Sequence, residues 1–183
     1  MRALVLTLAL SFSGCATDLG ECDADAARSV VYDQDGTPAY EGQALVHVSC
    51  GAGAFCHSAQ ARGEARYGAP GELDFDMALA LDDASLARLG TGRDDVRDYS
   101  GEILCAVEDG TMPPWGEATV AVHRNLPRHR RVASDGTATR LPHVDSFEGL
   151  EVLRNWLACD APVVERTEGT GTVGDVVAAG PPE

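Results

Sequence analysis

The sequence predicts an all-α fold, a small helical domain with an irregular insertion before its last helix. Three observations carry this. Phe147, Leu150, Leu153, Trp156 and Leu157 recur at helical spacing on one face. Val96, Ile103, Leu104 and Val107 do the same between Asp94 and Asp109. Gln43-Ala44-Leu45-Val46-His47-Val48 is a short apolar stretch that reads as a helix running into Cys50.

Taken in order, the chain opens with Arg2 and an apolar run from Ala3 to Phe12, a signal peptide over residues 1–14 that is too short to span a bilayer. Ser13-Gly14-Cys15 has the small-residue-then-cysteine pattern of a lipobox, which makes Cys15 a lipidation site. The alternative is a plain secretory signal cleaved near Ala16. Both place the mature chain outside the cytoplasm, where disulfides persist. Residues 15–38 are small and acidic and read as a tether. The domain is expected over 39–161. Residues 59 to 76 contain Gly63, Gly68, Pro70 and Gly71 and read as a loop. Asp82-Asp83-Ala84-Ser85 before Leu86 and Leu89 is an N-cap signature. Gly110 ends the 94–109 helix, and Pro113-Pro114 prevents it resuming. Residues 117–143 break the helical pattern, and Val120 with Val122 alternates like a hairpin strand. Residues 162–183 lack any period and read as a disordered tail.

The 183 residues carry a net charge of −15 with no lysine among fourteen basic residues, and an acidic surface excludes nucleic acid as the main partner. Aromatic content is low at 5%, which fits a small core that relies on a large flat cofactor and equally an Ala/Gly-rich extracytoplasmic protein. There is no Gly-rich phosphate loop, no nucleophile elbow and no histidine pair at helix spacing, so no catalytic residues are assigned.

The chemistry-bearing stretch is Cys50-Gly-Ala-Gly-Ala-Phe-Cys56-His57. Two thiols followed directly by a histidine are what covalent c-type haem attachment needs: the thiols add across the vinyl groups and the histidine ligates the iron. Met112, on a loop stiffened by Pro113-Pro114, is placed to supply the opposite axial ligand. The usual motif has two residues between the cysteines and this one has five, so the backbone must loop out, and Gly51 and Gly53 permit that. The competing reading is a Cys50–Cys56 disulfide beside a bystander His57. Of the other cysteines, Cys105 and Cys159 lie on predicted helices and are paired as a disulfide, leaving Cys22 over; spacing alone does not settle connectivity. Met77 is the competing thioether and reads as core. His123, His129 and His143 match no zinc spacing and read as solvent-facing. Arg124, Arg128, Arg130 and Arg131 either contact haem propionates or an acidic partner, or form a solvated loop.

With the segments in this order, the chain resembles the mono-haem, cytochrome c-like domains of bacterial lipoproteins over roughly residues 40 to 162. The resemblance rests on Cys50 to His57, on Arg66-Tyr67-Gly68-Ala69-Pro70 with Leu73-Asp74-Phe75-Asp76, on Ile103 to Pro114 and on Leu153 to Pro162. The wide cysteine gap departs from the usual pattern, although longer gaps occur in the wider family. The resemblance implies one haem c per chain bound by Cys50, Cys56, His57 and Met112, with iron held by His57 and Met112. It further implies a lipid-anchored, extracytoplasmic electron carrier that docks transiently on a redox protein, not an enzyme. Two rivals stand: a haemless module stapled by Cys50–Cys56 and Cys105–Cys159, and a haem peroxidase if Met112 does not ligate.

Overall fold

The computed structural model describes residues 18–33, 37–54, 56–77, 83–112, 129–132, 137–166 and 176–178. Asp23 starts the first helix, α1 (Ala24–Ala27), by accepting from the backbone N–H groups of Asp25 and Ala26. Two short strands follow, β1 (Val30–Tyr32) and β2 (Pro38–Tyr40), paired antiparallel with Val31 opposite Ala39. The Asp33 side chain accepts from Thr37 N–H at 2.8 Å and shapes their turn. Helix α2 (Glu41–Val46) is buried along its whole length.

Helices α3 (Asp83–Asp98) and α4 (Ser100–Glu108) come next, separated by a break at Tyr99. A second hairpin, β3 (Arg130–Val132) and β4 (Ala138–Arg140), joins the first through β1, giving a four-stranded antiparallel sheet in the order β2-β1-β3-β4. Ser146 then caps α5 (Phe147–Ala158), its Oγ accepting from Gly149 N–H at 3.1 Å. β5 (Val164–Arg166) pairs with β6 (Val176–Ala178).

The fold is therefore mixed α/β, which corrects the all-α expectation. Each strand is three residues long, too short for a period-two pattern to show in sequence. β1 lies in the segment expected to be a tether, and β2 starts at the last residue of that segment, Pro38. That segment is part of the body: α1 packs on α5, and Cys22 is disulfide-bonded to Cys159. The expected Cys105–Cys159 bond is corrected by the same finding, because the N-terminal segment brings Cys22 to the end of α5. The start of the supposed tail is packed too, with Val163 and Val164 buried.

The core joins α2, α3, α4 and α5 through Leu45, Val96, Leu104, Leu153 and Trp156, with Phe75 and Met77 from the preceding loop. Met77 is core, as read from sequence. α2 approaches α5 closely because Gly42 has no side chain: a Cβ there would stand 2.2 Å from the Trp156 ring. Gln43, fully buried, is satisfied on three sides. Its Oε1 accepts from Tyr40 and Val164 N–H at 3.2 and 2.9 Å, and its amide donates to the Met77 carbonyl at 3.0 Å. One expected core residue is not core: Phe147 is 82% exposed at the first turn of α5. Of the expected N-cap signature, Asp82 lies outside the described residues and positions 83–85 already belong to α3. The strand expected at Val120 and Val122 and the prolines at 113–114 also lie outside the described residues.

Candidate functional site

At the end of α2 the helix widens. His47–Gly51 forms a π-helical turn, closed by Ala52 N–H donating to the His47 carbonyl at 2.7 Å. Gly53 takes φ +87 and Cys56 φ +52, and the chain folds back until His57 N–H reaches the Cys50 carbonyl at 3.2 Å. Ser58 Oγ–H holds the loop from the other side, on the Gly53 carbonyl at 2.5 Å. Gly51 lies flat against the next segment, where a Cβ would stand 1.6 Å from the Phe75 carbonyl oxygen. The wide cysteine gap is thus looped out at the glycines, and Cys50, Cys56 and His57 return to one neighbourhood.

His57 is 5% exposed, and its ring stacks on Phe75 with centroids 4.4 Å apart. Phe75 N–H donates to the His57 carbonyl at 2.8 Å. His57 Nδ1 lies 3.0 Å from the Leu73 carbonyl oxygen. A carbonyl only accepts, so this contact assigns the proton to Nδ1 and leaves the lone pair on Nε2. Burial holds the imidazole below its ordinary pKa, the Leu73 carbonyl pulling it up and the Arg66 charge pushing it down. His57 is therefore neutral at pH 7, the form that ligates a metal.

Cys50 and Cys56 are both free thiols. Burial pushes Cys50 up to about 12, with the adjacent Cys56 adding to the effect. Burial also raises Cys56, against the pull of Arg66. Both stay protonated at neutral pH, which makes them poor nucleophiles without help. The Cys50–Cys56 disulfide of the rival reading is absent, and with Cys159 committed to Cys22 neither staple of the haemless alternative is present. Cys105 is itself disulfide-bonded, but not to Cys159. Cys15 lies outside the described residues.

Met112 sits just past α4, where its N–H donates to the Ala106 carbonyl at 2.8 Å. It packs, partly buried, on the same core as Cys50 and Leu73. The Cys50 thiol and the Met112 thioether pack on one core with Phe75, on which the His57 ring stacks, and Cys56 precedes His57 in the chain. Two thiols, an imidazole and a thioether are the groups that a covalently held haem requires. Among the described residues, no three His, Cys, Asp or Glu side chains are placed to hold a bare metal ion. The cavity of about 470 Å³ between the N-terminal segment and α5, lined by Leu19, Gly42, Asn155 and Trp156 among others, contains none of the expected site residues.

Several residues of this neighbourhood carried no role in the sequence reading. Arg66, only 6% exposed, donates to the carbonyls of Ala69, Pro70 and Leu73 and to Asp74 Oδ1. The signal was an arginine in a Gly/Pro-rich loop with an aspartate eight residues on. His47 is buried with its Nδ1 3.4 Å from Asp76 Oδ1 yet not hydrogen-bonded. Burial pushes it down to about 4, opposed by Asp76 and helped by His129.

One expectation for the arginine-rich segment is corrected. His129 is not solvent-facing, since its Nδ1 is buried without a hydrogen-bond partner. Arg131 pairs with Glu41 and Glu148, tying β3 to α2 and α5. His143 is exposed and pairs with Asp145. His123, Arg124 and Arg128 lie outside the described residues.

Among the described residues, no helix is long and apolar enough to cross a membrane. In comparisons with known proteins, no family model, no curated protein and no solved structure matches the chain.

Proposed function

We propose that this chain is an extracytoplasmic electron carrier: Cys50 and Cys56 would hold one haem covalently, and His57 and Met112 would hold its iron. The observation that carries the reading is the folded-back loop. It brings both thiols, still reduced, beside an imidazole whose Nδ1 is engaged and whose Nε2 is left for a ligand. A haem held this way supplies a one-electron Fe(III)/Fe(II) couple and makes no bond to substrate.

The chain's own residues then have distinct tasks. The Leu73 carbonyl fixes the His57 tautomer and raises the basicity of the ring. Phe75 stacks on the imidazole and shields it from water. Burial raises both thiols, Cys50 to about 12, and so slows their oxidation and disulfide exchange before attachment. Met112, partly buried on the same core as Cys50, would hold the iron together with His57. Anchoring through an acylated Cys15 requires that its sulfur take no part in the Cys105 disulfide. Peptide mapping of the Cys105 partner therefore tests the anchor separately from the haem.

The test of the redox reading is export of the full chain in a host with c-type haem maturation, followed by a pyridine-haemochrome spectrum after denaturation. Colour that survives denaturation is expected, and Met112→Ala should remove the weak near-infrared methionine–iron band. A colourless protein under those conditions overturns the proposal.

A further inference from the structure

Resting on the haem reading, we infer that Arg66 is a positioning residue for His57, acting through the Leu73 carbonyl that both of them share. The geometry is a relay. Arg66 Nη2 donates to the Leu73 oxygen at 2.8 Å, and His57 Nδ1 donates to the same oxygen at 3.0 Å. The other arms of the guanidinium hold the loop on either side of that carbonyl. Nε donates to Ala69 at 3.3 Å, Nη2 also reaches Pro70, and Nη1 meets Asp74 Oδ1 at 3.0 Å. Residues 69 to 73 contain Pro70 and Gly71 and make few other backbone bonds, with Leu73 N–H on the Pro70 carbonyl at 3.2 Å.

The Phe75 N–H bond to the His57 carbonyl holds this segment against the imidazole, and Arg66 is the side chain that bonds the Leu73 oxygen itself. Four donated hydrogen bonds from one buried, permanently charged fork are more than a surface arginine makes, and the planar geometry is what lysine cannot copy. The charged groups near the ring are Arg66 and Asp74, which partner each other, so the fork adds alignment more than net field. A carbonyl aimed at Nδ1–H makes the imidazole a stronger donor to ferric iron. Losing that aim weakens the donor and favours the ferrous form.

The test is the ferric/ferrous equilibrium of the haem-loaded full chain, measured by redox titration for the parent, Arg66→Lys, Arg66→Gln and Asp74→Asn. Positioning predicts that Arg66→Lys and Arg66→Gln both move the equilibrium toward ferrous iron, by up to about tenfold. Asp74→Asn, which only loosens the fork and spares folding, moves it the same way by less. A purely electrostatic role instead leaves Arg66→Lys at the parent value and moves Arg66→Gln toward ferric iron. That pattern, or an unchanged equilibrium in all three variants, overturns the inference.

If the parent chain takes up no haem, the redox reading fails by itself. The relay is then read in the haem-free chain from the His57 Nδ1–H resonance in ¹⁵N-edited spectra. It should be protected in the parent and broadened in Arg66→Lys and Asp74→Asn; equal protection in all three chains overturns the relay.

Discussion

Two cysteine pairs in this chain end in opposite states. Cys22 and Cys159 are 137 residues apart in sequence and are joined. Cys50 and Cys56 are six positions apart and remain thiols. Local closeness is thus a poor guide to pairing. The distant pair meets because α1 packs on α5, and its bond ties the N-terminal segment to the end of the last helix. The nearby pair is part of a loop whose course is set by other contacts: the π turn, the Gly51–Phe75 approach and the His57 N–H bond to Cys50. One pair staples the fold, and the other stays reduced.

The largest effect is expected from breaking the staple. Replacing Cys22 and Cys159 by Ser removes a cross-link that closes a very long loop. Stability should fall by about 4 kcal/mol, read as a lower denaturant midpoint, with haem attachment retained. A loss below 1 kcal/mol would mean that the N-terminal segment docks well without it.

Gly51→Ala attacks the other region. Its new methyl group meets backbone at Phe75, which cannot swing aside as a side chain would. A cost of about 3 kcal/mol and failure to attach haem are expected. Normal attachment in this variant would show that the loop does not need that approach.

Acid tests the same region more gently. The folded pKa of His47 is about 4, below the ordinary 6.5, so the unfolded chain takes the proton first. The stability contributed by burying a neutral His47 is present above pH 6.5 and is lost as pH falls toward 4. A loss on the order of 2 kcal/mol is expected across that window, and His47→Gln should flatten it. Asp76 and His129 are the titratable neighbours, so Asp76→Asn should deepen the loss. Phe147→Ser sits at the small end. The ring is 82% exposed, and less than about 0.5 kcal/mol should change.

What could be read from sequence follows the same division. α5 was legible because Leu153, Trp156 and Leu157 repeat over several turns, and one face of them is buried. The need for Gly53 at the wide cysteine gap was legible because a backbone excursion has few residue solutions, whereas Gly51 serves a close approach to Phe75 that no local pattern records. The sheet was not, since a three-residue strand such as Val30–Tyr32 offers a single inward residue, Val31, and no repeat to detect. The Cys22 partner and the four-armed role of Arg66 were hidden for a related reason. Both depend on which distant or loop segments come together, and no local period records that. Phe147 matched the helical face of α5 by spacing, yet among the described residues it is left exposed at that helix's first turn.

The central claim is that the two thiols left unpaired are reserved for a porphyrin. Intact mass of the exported full chain, taken under denaturing conditions after alkylation of free thiols, tests it most directly. The account predicts the chain plus one haem, with Cys50 and Cys56 both protected from the alkylating reagent. A bare chain in which both positions are alkylated, or in which they have oxidised to each other, would contradict it.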